Sequence, residues 1–267
     1  GEKELARDYA KWLINQQNSD GSFVASDGIS YTFDTGQVIR GFITVLDDLP
    51  EIDISLRKAC DWILTQLRPD GRLSTPSTEK WATIADDRIH LYVLPPLIET
   101  GKKLRENRYI DAAYNILNYY KKNANLTKFN TLSHFVAYVI DALCDLHETE
   151  LARSAMVEIE KLQKSDGSIK AYPDVSWICS TGIAQFAVIW YKLGNKINAD
   201  KALNYLNKIQ NKSGGFYGSY KRSAGYFPDE EISWAVKFFL DAYCLKVKTA
   251  FNTEVDIFPK TIEENDI

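Results

Sequence analysis

The stretch "QQNSDGSF" at residues 16–23 decides how the rest of the chain reads, because it returns. It recurs as "QLRPDGRL" (66–73), "LQKSDGSI" (162–169) and "IQNKSGGF" (209–216). The marker glycines Gly21, Gly71, Gly167 and Gly214 are spaced by 50, 96 and 47 residues. The middle spacing is two periods, so a further copy is expected near residue 120, decayed to "YYKKNANLTKF" (119–129). Five units of roughly 48 residues then cover nearly the whole chain, and a fixed period of that length marks a repeat architecture.

Each unit opens with an amphipathic helix: "ELARDYAKWLINQQ", "SLRKACDWILTQL", "YIDAAYNILNYYKK", "LARSAMVEIEKLQ" and "ADKALNYLNKIQ". Apolar residues recur at three and four, with charges between them. The Asp-Gly or Gly-Gly turn then stops the helix, since glycine accepts positive φ. A loop leads to a second, more apolar helix: "TGQVIRGFITVL", "RIHLYVLPPLIETG", "LSHFVAYVIDALCDL", "STGIAQFAVIWYKLG" and "EISWAVKFFLDAYCL". A helix apolar nearly all round is buried on all sides. The fourth of these reads as helical from about Ser176.

Five half-exposed helices alternating with five buried ones predict an all-α fold. The simplest packing is an α/α toroid, two concentric rings with the buried helices inside. An open solenoid is the runner-up. It needs only neighbour contacts and polar caps, but the first and last second helices are as apolar as the middle ones, which favours closure. The toroid is expected to span residues 1–250 as a single domain. Residues 251–267, ending "TIEENDI", read as a linker or tail leading to a further domain, and Gly1 as a processed or cloned boundary.

The Q-x-x-D-G-S-F turn after an outer helix resembles the repeats of terpenoid cyclases and protein prenyltransferase β-subunits. More closely, "YTFDTGQVIRGF", "LSHFVAYVIDAL", "SWICSTGIAQFAVIWYKLG" and "ISWAVKFFLDAY" look like toroid proteins associated with bacterial surface-polysaccharide biosynthesis, often called prenyltransferase-like from their fold. The resemblance covers roughly residues 4 to 248. It implies the toroid and a glycan setting. It carries little about the reaction, because the toroid hosts unrelated chemistries.

Composition narrows the function. The 267 residues carry a formal charge of -4, with 45% hydrophobic and 25% charged residues, ordinary for a globular protein. No basic stripe is present, which argues against nucleic acid or an anionic membrane surface as a partner. No apolar run is long enough to span a membrane, and no signal peptide is visible, so the reading is cytoplasmic. Cys60, Cys144, Cys179 and Cys244 form no C-x-x-C pair and sit mainly in apolar helical stretches, so buried free thiols are expected.

Polar residues gather at the starts of the second helices. The first unit offers Asp34, Thr35 and Gln37; the second Asp86, Asp87, Arg88 and His90; the third Ser133 and His134. The fourth offers Trp177, Cys179, Thr181 and Gln185, and the fifth Asp229, Glu230, Glu231, Ser233, Trp234 and Lys237. In a toroid the inner helices run parallel, so their N-termini are expected at one rim around one mouth. Helix capping accounts for Asp34, Thr35, Ser133, Ser180 and Thr181. It does not account for Gln37, Arg88, His90, His134, Gln185, Trp234 or Lys237. Converging helix dipoles and Arg88 favour an anionic ligand. The histidines suit proton transfer near neutral pH, and aromatic residues such as Tyr31, Trp81, Trp177, Tyr226 and Trp234 offer faces to a sugar ring. The loop "GGFYGSYKRSAGYFPDEE" (214–231) reads as a lid or as a long connection.

Three readings of function stay open. The first is a carbohydrate-active enzyme of epimerase, lyase or hydrolase type on an anionic sugar. His90, His134, Asp34, Asp87 and Glu231 are its candidate acids and bases, and Gln37, Arg88, Trp177, Thr181, Gln185, Tyr226 and Trp234 its substrate contacts. No cofactor and no metal are expected. The second is a non-catalytic glycan-binding or scaffold module. The third is an isoprenoid enzyme, which lacks a D-x-D-D acid here. "DDLPE" (47–51) mimics a magnesium motif but is placed at the opposite rim. The Asp-x-Cys zinc pattern is broken, because Trp177 stands two residues before Cys179. No Walker A, G-x-S-x-G or H-E-x-x-H pattern occurs, which sets aside nucleotide-dependent and serine-hydrolase chemistry.

Overall fold

The computed structural model describes residues 2–74 and 87–250, and the chain divides into two compact units, residues 1–126 and 127–267. Asp86, Trp81 and the 251–267 tail lie outside the described residues. In the first unit α1 spans Lys3–Gln16, α2 Thr32–Val45, α3 Asp53–Thr65, α4 Leu94–Leu104 and α5 Asn107–Asn123. In the second, α6 spans Ser133–Asp145, α7 Thr149–Leu162, α8 Ser180–Lys192, α9 Lys196–Ile209 and α10 Ser233–Ala250. Among the described residues these ten helices alternate between the two expected types. Two short strands, β1 (Ile178–Cys179) and β2 (Ser219–Tyr220), pair antiparallel in the second unit.

The repeated turn has one geometry. Gly21, Gly71, Gly167 and Gly214 all have φ between 88° and 97°. The Gly21 amide donates to Asn18 O at 3.0 Å and the Asn18 amide to Ser22 O at 3.0 Å; Gly167, Lys164 and Ser168 repeat this at 2.9 and 2.9 Å. The aspartate before the glycine closes the turn, as Asp20 Oδ1 accepts from the Ser22 amide at 2.9 Å and Asp166 Oδ1 from the Ser168 amide at 2.9 Å. Glycine is required for a second reason. A Cβ at Gly21 would lie 2.2 Å from Lys58 O in α3, and one at Gly167 would lie 2.0 Å from Lys201 O in α9. At these two turns the loop seats one outer helix directly against the next. In the decayed copy α5 ends at an extended Ala124 (φ -128°, ψ 149°), as α1 and α7 end at an extended Gln17 and Gln163, but no glycine turn follows, and the boundary between the two units falls two residues later.

Burial follows the pattern where helices are enclosed. Every residue of α6 from Ser133 to Cys144 is buried, as is every residue of α8 from Ser180 to Tyr191. The outer helices bury one stripe, such as Ala152, Ala155, Met156 and Ile159 of α7. The last helix departs from the expectation. Only Ala235, Phe238, Phe239 and Ala242 of α10 are buried, and Leu240, Tyr243 and Val247 are exposed. Its main neighbours are α8 and α9, on one side, so its other face meets solvent.

Three further details differ from the sequence reading. The second inner helix is split: a 3-10 stretch covers Asp87–Val93, and α4 starts afresh at Leu94, because Pro95 and Pro96 carry no N–H and suit a first turn. The fourth starts at Ser180 rather than near Ser176. Residues 178–179 are held extended by β2, and the Ser180 hydroxyl donates to Tyr217 O at 2.7 Å. The expected capping is also absent. The residues at the N-cap positions of α2, α6 and α8 are Tyr31, Leu132 and Cys179, and none makes a side-chain cap bond. Asp34, Thr35, Ser133, Ser180 and Thr181 lie inside the helices, past the capping position.

"DDLPE" is used structurally. Asp47 pairs with Lys103 at 3.1 Å, Asp48 pairs with Lys3 at 3.2 Å, and Pro50 opens a 3-10 turn leading into α3. All four cysteines are free; Cys60, Cys144 and Cys179 are buried and Cys244 is exposed. Among the described residues no helix is long and apolar enough to cross a membrane.

Candidate functional site

In the first unit, the start of α2 packs on the 87–93 stretch so closely that a Cβ on Gly36 would lie 2.7 Å from Val93. Asp34 is the third residue of α2. Burial, and then the neighbouring carboxylate of Asp27, raise its carboxyl above the ordinary range. Asp27 is itself held by the Tyr31 hydroxyl, which donates to it at 2.9 Å. The next turn carries Gln37, whose Nε2 is buried without a hydrogen-bond partner. Arg88 and His90 are both buried. The Arg88 guanidinium donates to Asn125 O at 2.6 Å, and His90 Nδ1 lies 3.4 Å from the Tyr120 hydroxyl. Asp87 is engaged by Arg72 at 3.0 Å.

In the second unit, α6 and α8 meet along their first turns. A Cβ on Gly182 would lie 2.2 Å from Ser133 Oγ, so glycine permits the approach. One turn further along α8, Gln185 meets His134 of α6, with Nδ1 2.7 Å from Oε1. Gln185 is fully buried, and its Nε2 has no partner. His134 is 3% exposed. Burial lowers its imidazole to about 4, against the Gln185 bond, which raises it, so the ring is neutral at physiological pH. Ser133 Oγ and Thr181 Oγ1 face the Cys179 sulfur and reach no oxygen or nitrogen partner. Burial pushes the Cys179 thiol up to about 12, which keeps it protonated and makes it a packing group rather than a nucleophile.

The connection from 214 to 231 brings an aromatic cover. Gly218 N donates to Phe227 O at 2.9 Å, and β2 anchors the segment to β1. Tyr226 lies with its ring centre 5.9 Å from that of His134, and Trp234 Nε1 donates to its hydroxyl at 3.2 Å. Burial, and then Cys179, raise the Tyr226 hydroxyl above its ordinary range, so it stays protonated. Trp177 packs edge-on against Tyr172 at 5.7 Å. Glu231 sits apart in character. It is exposed, and its Oε1 accepts from Asn211 at 2.8 Å and from Ser213 at 2.5 Å, which ties down the neighbouring turn.

The structure thus assembles His134, Gln185, Thr181, Tyr226 and Trp234 around α6 and α8, and Asp34 and Gln37 on α2. Asp27 and Tyr120 were missed by the sequence reading. For Asp27 a signal existed, since "SDGIS" (26–30) contains another Asp-Gly turn. Nothing local marks Tyr120, which lies 30 residues from His90.

No family model and no curated protein match the sequence. Solved structures do. An unsaturated glucuronyl hydrolase specific for heparin shares 14% identity at a TM-score of 0.71, over 93% of this chain and 81% of that one. A glycosyl hydrolase family 88 protein from Bacteroides vulgatus shares 13% at 0.68, over 92% and 85%. A polysaccharide lyase shares 13% at 0.64, over 92% and 84%. At this identity the likeness shows the fold: an α/α toroid, of the kind found in glycan-processing enzymes.

Proposed function

We propose that the chain acts on an anionic sugar or glycan by acid–base chemistry of the hydrolase or lyase type. The observation that carries this is the set of buried groups without an oxygen or nitrogen partner beside the neutral His134: Gln185 Nε2, Thr181 Oγ1 and Ser133 Oγ, the two hydroxyls facing only the Cys179 sulfur. A buried donor without an acceptor costs about 1–3 kcal/mol. A ligand oxygen removes that cost, so such donors are suited to a polyhydroxylated substrate. In elimination, a neutral imidazole takes the proton beside the sugar carboxylate. The bond to the leaving oxygen breaks with its electron pair, and that oxygen takes a proton from an acid. Tyr226, protonated and 5.9 Å ring to ring from His134, has the chemistry of such an acid. In hydrolysis the pair of carboxyls matters. Within the first unit, burial and the neighbouring Asp27 carboxyl hold Asp34 toward its protonated form.

The anionic character of the substrate is supported by the names of the similar structures, which act on unsaturated glucuronyl groups and heparin. The resemblance over residues 4 to 248 supports a bacterial surface polysaccharide as the setting. The test is incubation with uronate oligosaccharides, saturated and unsaturated, beside neutral counterparts, with products followed by mass spectrometry. Turnover of the uronates that falls by about a hundredfold or more in His134→Gln supports the reading. Equal handling of neutral glycans, or binding without turnover that survives His134→Gln, replaces it with a non-catalytic glycan module.

A further inference from the structure

His134 carries two ring nitrogens, and only one can serve as a base. Gln185 faces Nδ1 through its carbonyl oxygen at 2.7 Å, an N–H···O distance. A carbonyl oxygen accepts only from a protonated nitrogen, so this arrangement calls for the proton on Nδ1 and the lone pair on Nε2. Phe135, Tyr138, Tyr226 and Phe238 surround the imidazole, with ring centres between 4.6 and 6.5 Å away, and none of them carries a charge at neutral pH. The amide nitrogen of Gln185 is buried without a hydrogen-bond partner. The close approach of α8 to α6 at Gly182, one turn earlier, sets the distance.

We propose that Gln185 is a positioning residue: its carbonyl holds the His134 Nδ1–H, fixes the ring, and leaves Nε2 as the free basic nitrogen, while its amide nitrogen donates to a sugar oxygen. The inference rests on the reading of His134 as the base. The reversed amide would donate to Nδ1, place the proton on Nε2 and remove the base.

Long-range proton–nitrogen spectra of the labelled full chain distinguish the two arrangements, with the His134 signals identified from their loss in His134→Gln. At neutral pH we expect Nδ1 protonated and Nε2 unprotonated. Gln185→Glu keeps an acceptor in place and adds a charge. It should retain this tautomer and raise the pH at which the ring protonates by at least about one unit. Gln185→Leu should mix the tautomers and lower kcat by about tenfold or more, with a smaller change in KM. If Gln185→Leu does not fold, Gln185→Glu carries the test alone. A wild-type ring protonated on Nε2, or an unchanged tautomer in Gln185→Leu, overturns the proposal. The spectra need no substrate, so the expected tautomer in a chain that turns over no uronate supports this inference while removing the proposed function.

Discussion

The two ends of the helix pair α6 and α8 are both polar and both buried, and they are built in opposite ways. At the C-terminal end, Lys192 of α8 meets Asp141 at 2.8 Å and Asp145 at 2.5 Å, both on α6. Burial alone would lower the lysine; the two carboxylates outweigh it and hold the ammonium firmly charged. The donor and acceptors there are matched within the protein. At the N-terminal end, Gln185 Nε2, Thr181 Oγ1 and Ser133 Oγ are buried with no oxygen or nitrogen partner. Polarity alone therefore does not mark a site. Charge pairing that closes on itself fastens two helices, whereas the donors beside the neutral histidine find no oxygen or nitrogen partner within the protein.

The largest effect is expected at the closed end. Lys192→Met takes the ammonium away from the buried Asp141 and the partly buried Asp145. Stability should fall by about 3–5 kcal/mol in denaturant titrations, with the activity of the folded fraction largely kept. A small loss would mean that water reaches this end and that the contrast between the ends is weaker than drawn.

The next is a pH effect at the open end. The His134 imidazole protonates near 6.5 when unfolded and near 4 when folded, because burial disfavours the charged ring. The unfolded chain therefore binds the extra proton first as pH falls. The contribution is fully present above about 6.5 and is lost progressively toward about 4, on the order of 3 kcal/mol. Unfolding curves across this window should lose that slope in His134→Gln. An unchanged slope would place the burden on other groups.

A smaller effect of opposite sign sharpens the comparison. Thr181→Val removes an unsatisfied hydroxyl with little change of shape. It should be neutral or stabilising by up to about 1 kcal/mol while weakening glycan binding in calorimetry. A loss of stability would show that the Cys179 sulfur is a true partner. The smallest change is expected at Glu231, whose carboxylate serves the 211–213 turn. Glu231→Gln should leave turnover within about twofold; a large loss would return it to the catalytic group.

The periodic glycines, the alternation of helix types and the apolar strings of α6 and α8 were legible because each is a local or repeating property. The split at Pro95 and Pro96 was legible in principle, since proline lacks an N–H. The early start assigned to α8 failed because β2, some forty residues later, holds Ile178 and Cys179 extended. The burial assigned to α10 failed because an apolar sequence states what a helix can bury, and neighbours decide what it does bury. Candidate residues were found by type, but their states were not. Asp87 and Arg72 are joined across 15 residues and His134 and Gln185 across 51.

What the sequence determined by itself is the all-α repeat: helix lengths, the glycine turns and the order of outer and inner helices follow from short-range sterics and from hydrophobic period. What tertiary structure alone decided is which polar side chains are satisfied. Asp141, Asp145 and Lys192 differ from Ser133, Thr181 and Gln185 in no local respect that marks one end closed and the other open. The difference arises from packing distance, because hydrogen bonds and charge pairs are won or lost over a few tenths of an ångström, and only the meeting of α6 with α8 sets those distances.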